Sequence, residues 1–147
     1  MLDDKPVPVF SRFLSPSAWK GLWRALPALL RAIERFNRRD YPSALRSFDV
    51  VVANVPEPDP TYAAFQAYLL FLNGSPDAMG AWAMVAQLAK ADDSKSSRHA
   101  GAVARYFIAR HENSPAAYQH WREAHELRPA HGVGALITLP DAALVTQ

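Results

Sequence analysis

Ser75-Pro76-Asp77-Ala78-Met79-Gly80-Ala81-Trp82 is the stretch on which the fold turns. Proline suits the first turn of a helix, where its missing N–H has no intrahelical partner and its fixed φ is already helical. A serine before it can cap, accepting a hydrogen bond from a free first-turn amide. Ala78 and Trp82 lie four apart and so share one helix face. The small residue lets a neighbouring helix come close, and the aromatic one turn later fills the groove beside it.

The pattern occurs three times: Tyr41-Pro42-Ser43-Ala44 leads to Phe48, Ser75-Pro76-Asp77-Ala78 to Trp82, and Ser114-Pro115-Ala116-Ala117 to Trp121. Val51 and Val55 continue the face in the first copy, Val85 and Ala89 in the second, Ala124 and Leu127 in the third. The spacing predicts helices over about 42–54, 76–90 and 115–128, each preceded by another over about 27–38, 60–72 and 97–110. Asn73-Gly74 is the clearest connecting turn, because both residues tolerate a left-handed backbone at a helix C-terminus. Connections this short make each pair antiparallel.

Ala44 and Ala78 are 34 residues apart, as are Phe48 and Trp82. With Pro56 and Pro129 closing the first and third copies, residues 25–129 resemble the tetratricopeptide repeat family. The chain departs from that pattern in a 39-residue step from Ala78 to Ala117, and in Lys90 where a closing proline is expected. Gln66 and Arg105 stand at the small-residue position of the first helices. The expected fold is all-α: about three antiparallel helical hairpins in a tetratricopeptide-like solenoid. Residues 1–26 form an arm and capping helix, residues 27–129 the helix pairs and residues 130–147 an apolar tail, all within one domain.

The 147 residues suit one domain with a real core, half being hydrophobic and a fifth charged. Cysteine is absent, which removes disulfides and thiolate metal sites. No apolar stretch reaches the roughly 20 residues a bilayer requires. The opening Met1-Leu2-Asp3-Asp4 lacks a signal-peptide build, so a cytoplasmic location is expected. Residues 1–40 carry eight Lys/Arg against four Asp/Glu, residues 49–94 one against six, and residues 95–129 six against three. An acidic middle opposes a nucleic-acid backbone along the chain, so no nucleic-acid partner is expected.

Near the N-terminus, Ser15 is expected to cap a helix whose stripe is Trp19, Leu22, Trp23 and Leu26, with a kink or break at Pro27. Opposite lie Lys20, Arg24, Arg31, Arg35, Arg38 and Arg39. Packing of the stripe as a cap is expected, since open arrays need one. A basic amphipathic helix on an anionic membrane is the alternative. From Ala130 to Gln147 the one charge is Asp141, and the run Val133-Gly134-Ala135-Leu136-Ile137-Thr138-Leu139-Pro140 is apolar. This tail has three open fates: folding back into the chain's own groove, pairing in a homodimer, or docking on a partner.

No catalytic residue, cofactor or metal is expected. His120 and His125 are five apart and miss the i, i+4 zinc geometry, even with Glu123 between them. His111-Glu112 has no third ligand nearby, and no phosphate loop or nucleophile elbow is present. The resemblance implies an adaptor, chaperone or inhibitor-like binder whose first helices line a groove for a partner's peptide or helix. The candidate contacts are Arg35, Phe71, His99, Tyr106 and Arg110. An enzyme with a dispersed site is the remaining alternative.

Overall fold

The computed structural model describes residues 16–55 and 57–141, with side chains from residue 23 onward. Ser15, Pro56 and the side chains of Trp19, Lys20 and Leu22 therefore lie outside the described residues. Among the described residues six α-helices run in order: α1 Pro16–Asn37, α2 Tyr41–Ala53, α3 Pro60–Leu72, α4 Ala78–Ala89, α5 Lys95–His111 and α6 Ala117–Leu127. A 3₁₀ turn follows at Val133–Leu136, and no strand occurs among the described residues. The chain forms two compact units, residues 1–59 and 60–147, a boundary the sequence reading did not place.

Each hairpin turns in the same way. Arg39, Gly74 and Asn113 take left-handed backbone angles with φ of 62°, 68° and 55°. The amide after each reaches back five residues in the Schellman manner: Asp40 N–H to Arg35 O at 2.9 Å, Ser75 to Leu70 at 3.0 Å, and Ser114 to Ala109 at 2.8 Å. These bonds satisfy carbonyls that a helix end leaves free. Asn73-Gly74 is the clearest of these turns in composition; Asn113 tolerates the same conformation, and Arg39 adopts it at a steric cost a glycine would escape.

The next helix then starts, with one difference from expectation. Asp40 caps α2 directly, its carboxylate accepting from Ser43 N–H at 3.3 Å, and hydrogen bonding from Ser43 holds that carboxyl below its usual range. Ser75 and Ser114 accept instead from the amides of Asp77 at 3.1 Å and Ala116 at 3.2 Å. Ser-Pro-x thus forms a turn of its own, and regular helix begins at Ala78 and Ala117, two residues later than the proline pattern suggested.

In the first unit, α1 packs along α2, burying Ala25, Ala28, Ala32, Ala44, Phe48 and Val51. Pro27 does not break α1: one helix runs through it. The ring sits on an exposed face, where water reaches the carbonyl that loses its amide partner. The separate capping helix expected before Pro27 is therefore the first part of α1. Nor is its stripe covered throughout, since Trp23 is 65% exposed.

In the second unit, α3 and α5 occupy the centre. Thr61, Tyr62, Ala64, Phe65, Ala67, Tyr68 and Leu69 of α3 are buried, so that helix is covered on several sides. α4 and α6 bury one stripe each, led by Ala78, Trp82 and Val85, and by Ala117 and Ala124. Trp82 is fully buried and stacks on Phe107 with ring centroids 4.6 Å apart. Gly101 lets α4 and α5 close up: a Cβ there would lie 2.9 Å from Ala89 Cβ.

The longer step between the second and third copies is spent on α5, which has 17 residues against 13 in α3. Ser94 caps it, accepting from Ser97 N–H at 3.2 Å. Asp92 holds the cap, accepting from Ser97 Oγ at 2.7 Å and from Ser94 Oγ at 3.0 Å. This polar loop read as an insertion; physically it is a start signal.

Candidate functional site: a groove filled by the chain's own tail

The described part of the tail, residues 130–141, folds back; residues 142–147 lie outside the described residues. Its 3₁₀ turn packs on α3 and α5, burying Val133 and Gly134, and Ile137 beyond it is 2% exposed. Gly134 is required by this approach, since a Cβ there would meet Pro129 Cγ at 3.1 Å, Thr61 Cγ2 at 3.4 Å and His99 Nδ1 at 3.7 Å. Ile137 has extended backbone angles, φ −76° and ψ 114°, and residues 138–141 continue without regular secondary structure.

Three groove side chains hold this segment, and all three bonds run the same way. Arg128 Nη2 donates to Ala135 O at 2.9 Å, Tyr68 Oη to Thr138 O at 3.4 Å, and Trp121 Nε1 to Pro140 O at 2.8 Å. The groove gives hydrogens and the tail gives carbonyls. Trp121, expected to pack beside Ala117 as a buried aromatic, is half-buried and turns its indole N–H to the tail. Its ring continues a stack along α6, 6.0 Å from Tyr118 and 5.2 Å from His125.

A cavity opens on either side of the tail. One, of about 430 Å³, is lined by His99, Trp121, His125, Arg128, Ile137 and Asp141 among others. The other, of about 580 Å³, lies at the C-terminal ends of α3 and α5, where Phe71, Tyr106, Phe107 and Arg110 face Thr138–Pro140. Phe107 is the hub of this second wall, with ring centroids 4.8 Å from Phe71, 5.2 Å from Tyr106 and 6.3 Å from Tyr68.

The five residues singled out from sequence divide accordingly. Phe71, Tyr106 and Arg110 converge on the larger cavity, and His99 reaches the smaller. Arg35 belongs to the first unit, where its carbonyl receives the turn bond from Asp40 and its guanidinium lies 4.0 Å from Glu34. His99 and Tyr106 are not the exposed contacts they resembled, being 3% exposed each. Burial drives the His99 imidazole down to about 4, with the Arg128 charge adding to the effect. Burial likewise raises the Tyr106 phenol, against the pull of Arg110 beside it.

Tyr68 and Trp121, the two aromatic donors, were missed as site residues. Tyr68 carried no signal, and Trp121 was read as core. Among the described residues no group of three His, Cys, Asp or Glu is arranged to hold a metal ion, and no helix is long and apolar enough to cross a membrane. Beside α6, Arg105 pairs with Glu123 at 3.1 Å, and burial first, then Arg105, lowers the His120 imidazole. Comparison of the chain with protein-family models, with curated proteins and with solved structures finds no match.

Proposed function

We propose that this protein is a non-catalytic, tetratricopeptide-like binding module whose α3–α5 groove holds an extended segment of a partner protein. One observation carries this reading: the groove already holds a stretch of the chain's own tail that is neither helix nor strand, with an aliphatic side chain buried and main-chain carbonyls bonded to Tyr68 and Trp121. Main-chain bonds supply affinity while side-chain pockets supply selection, the division of labour common to grooves that take extended peptides. Phe71, 43% exposed, and Arg110 at the mouth of the larger cavity are the parts of the wall open to an incoming chain.

The test is selection from a random peptide library on the full chain carrying Ile137→Asp, a change that loosens the tail by burying a charge. Enriched peptides whose binding falls on Arg110→Glu and on Phe71→Ala support the groove. Selection of no peptide at all contradicts it.

A second reading rests on α1. Trp23 and Leu30, 65% and 59% exposed, share a face with Pro27, and Arg24 and Arg31 are exposed next to them. That arrangement suits an anionic membrane surface. Sedimentation with phosphatidylserine vesicles, abolished by high salt and by Arg24→Glu with Arg31→Glu, supports it; equal recovery with neutral vesicles excludes it.

A further inference from the structure

Resting on the groove reading above, we infer that the groove selects an uncharged, proline-containing segment in extended, polyproline-like conformation, and that residues 137–140 are its built-in competitor. The sequence Ile137-Thr138-Leu139-Pro140 shows what the groove accepts. Ile137 is the anchor, and its backbone angles of −76° and 114° lie near the polyproline region.

The hydrogen bonds are compatible with a proline. Tyr68 Oη, Trp121 Nε1 and Arg128 Nη2 all donate, and all are met by tail carbonyls. The tail amides that do bond turn inward, Ala135 to Gly132 O and Ile137 to Gly134 O. An indole N–H is a donor only, so the strongest contact at this end, 2.8 Å to Pro140 O, cannot receive an amide. A proline, whose N–H is missing, loses nothing there and arrives already restricted in φ. Aromatic walls complete the match: Tyr68, Phe71, Tyr106 and Phe107 border the Thr138–Pro140 segment, as in grooves that take polyproline helices. The wall also carries Arg110 and His111, yet the seated Ile137-Thr138-Leu139-Pro140 meets it without a charged side chain.

Because the tail is joined to α6 through residues 128–132, it competes at an effective concentration on the order of millimolar. A partner segment must exceed that. The interaction surface is therefore masked in the parent chain and unmasked when the tail leaves.

The test titrates a labelled peptide of residues 133–141, acetyl-Val-Gly-Ala-Leu-Ile-Thr-Leu-Pro-Asp-amide, into the full chain carrying Ile137→Asp. Binding should be at least roughly tenfold tighter than to the parent. It should weaken roughly fivefold when Trp121→Phe removes one hydrogen bond, and comparably when the peptide carries Pro140→Ala. If Ile137→Asp reduces helicity, the same titration is run on the parent at millimolar peptide, following the Trp121 indole signal, which should shift on displacement. Should the folded variant ignore this peptide yet enrich charged, proline-free peptides from the library, the inference falls and the groove reading stands. If no library peptide binds, both fall. A parent dimer that dissociates on Ile137→Asp would instead assign the groove to a second copy's tail and overturn the inference.

Discussion

Lowering the pH from about 7.5 to about 4.5 should loosen this fold through one buried imidazole. His99 titrates near 4 when the tail covers it, against 6.5 in an unfolded chain. A depressed histidine favours the folded state only while it is neutral in both states. Above 6.5 the contribution is therefore complete. Between 6.5 and about 4 the opened chain takes a proton that the folded chain refuses, and stability drains away as pH falls. Two and a half units correspond to roughly 3 kcal/mol in the limit, most of it spent by pH 4.5. The cavity around the ring also holds Arg128, His125 and Asp141, and Arg128 opposes protonation at every pH in this window.

The assay is urea unfolding followed by helicity at several pH values, for the parent and for His99→Gln. Asp40 also loses a hydrogen-bonded charge in acid, and His120 is depressed like His99, but both are shared by the two chains and cancel in the difference. The parent should lose about 2–3 kcal/mol more than the variant between the two pH limits. Protection factors of the amides in residues 133–141, corrected for the intrinsic exchange rate at each pH, should fall over the same window, because release of the tail exposes the ring. Superimposable pH profiles for the two proteins would refute the burial of His99 by the tail.

Three further outcomes follow from the packing. Trp82→Ala should cost on the order of 3–5 kcal/mol in chemical denaturation, the range for a fully buried aromatic, whereas Trp121→Ala should cost less globally and chiefly free the tail from protease protection. Gly101→Ala should destabilise by about 1–3 kcal/mol through the close approach to Ala89, and Ala89→Gly in the same chain should recover part of that loss, as a double-mutant cycle will register. Ser94→Ala should cost about 0.5–2 kcal/mol and fray the first turn of α5, visible as faster amide exchange at residues 95–98.

What could be read from residues alone was what repeats locally. Pro42, Pro76 and Pro115, each with alanine two residues on and an aromatic six residues on, located the second helices to within a residue or two, and α3 lies where its apolar run placed it. The misses share a cause. Of the kink or break expected at Pro27 the break does not occur, since an exposed position lets water take the place of the missing bond. His99 and Tyr106 looked exposed because the pattern of α5 says nothing about a segment that returns some 30 residues later to cover them. Tyr68 meets Thr138 across 70 residues, a pairing with no periodicity to betray it. Three of the five candidate contacts still meet in one cavity, since Tyr106 and Arg110 are four apart on one face of α5 and Phe71 ends α3, which packs against it.

The central claim, that the tail sits in a peptide groove and is held there by its carbonyls, rests most directly on the Trp121 indole. The chain has four tryptophans, so four indole N–H signals are resolvable in a ¹⁵N-labelled sample. In the parent, the Trp121 signal should exchange far more slowly than that of exposed Trp23, and Ile137→Asp should abolish that protection while the Trp82 signal stays protected. A Trp121 indole that exchanges in the parent as fast as Trp23 would contradict the account.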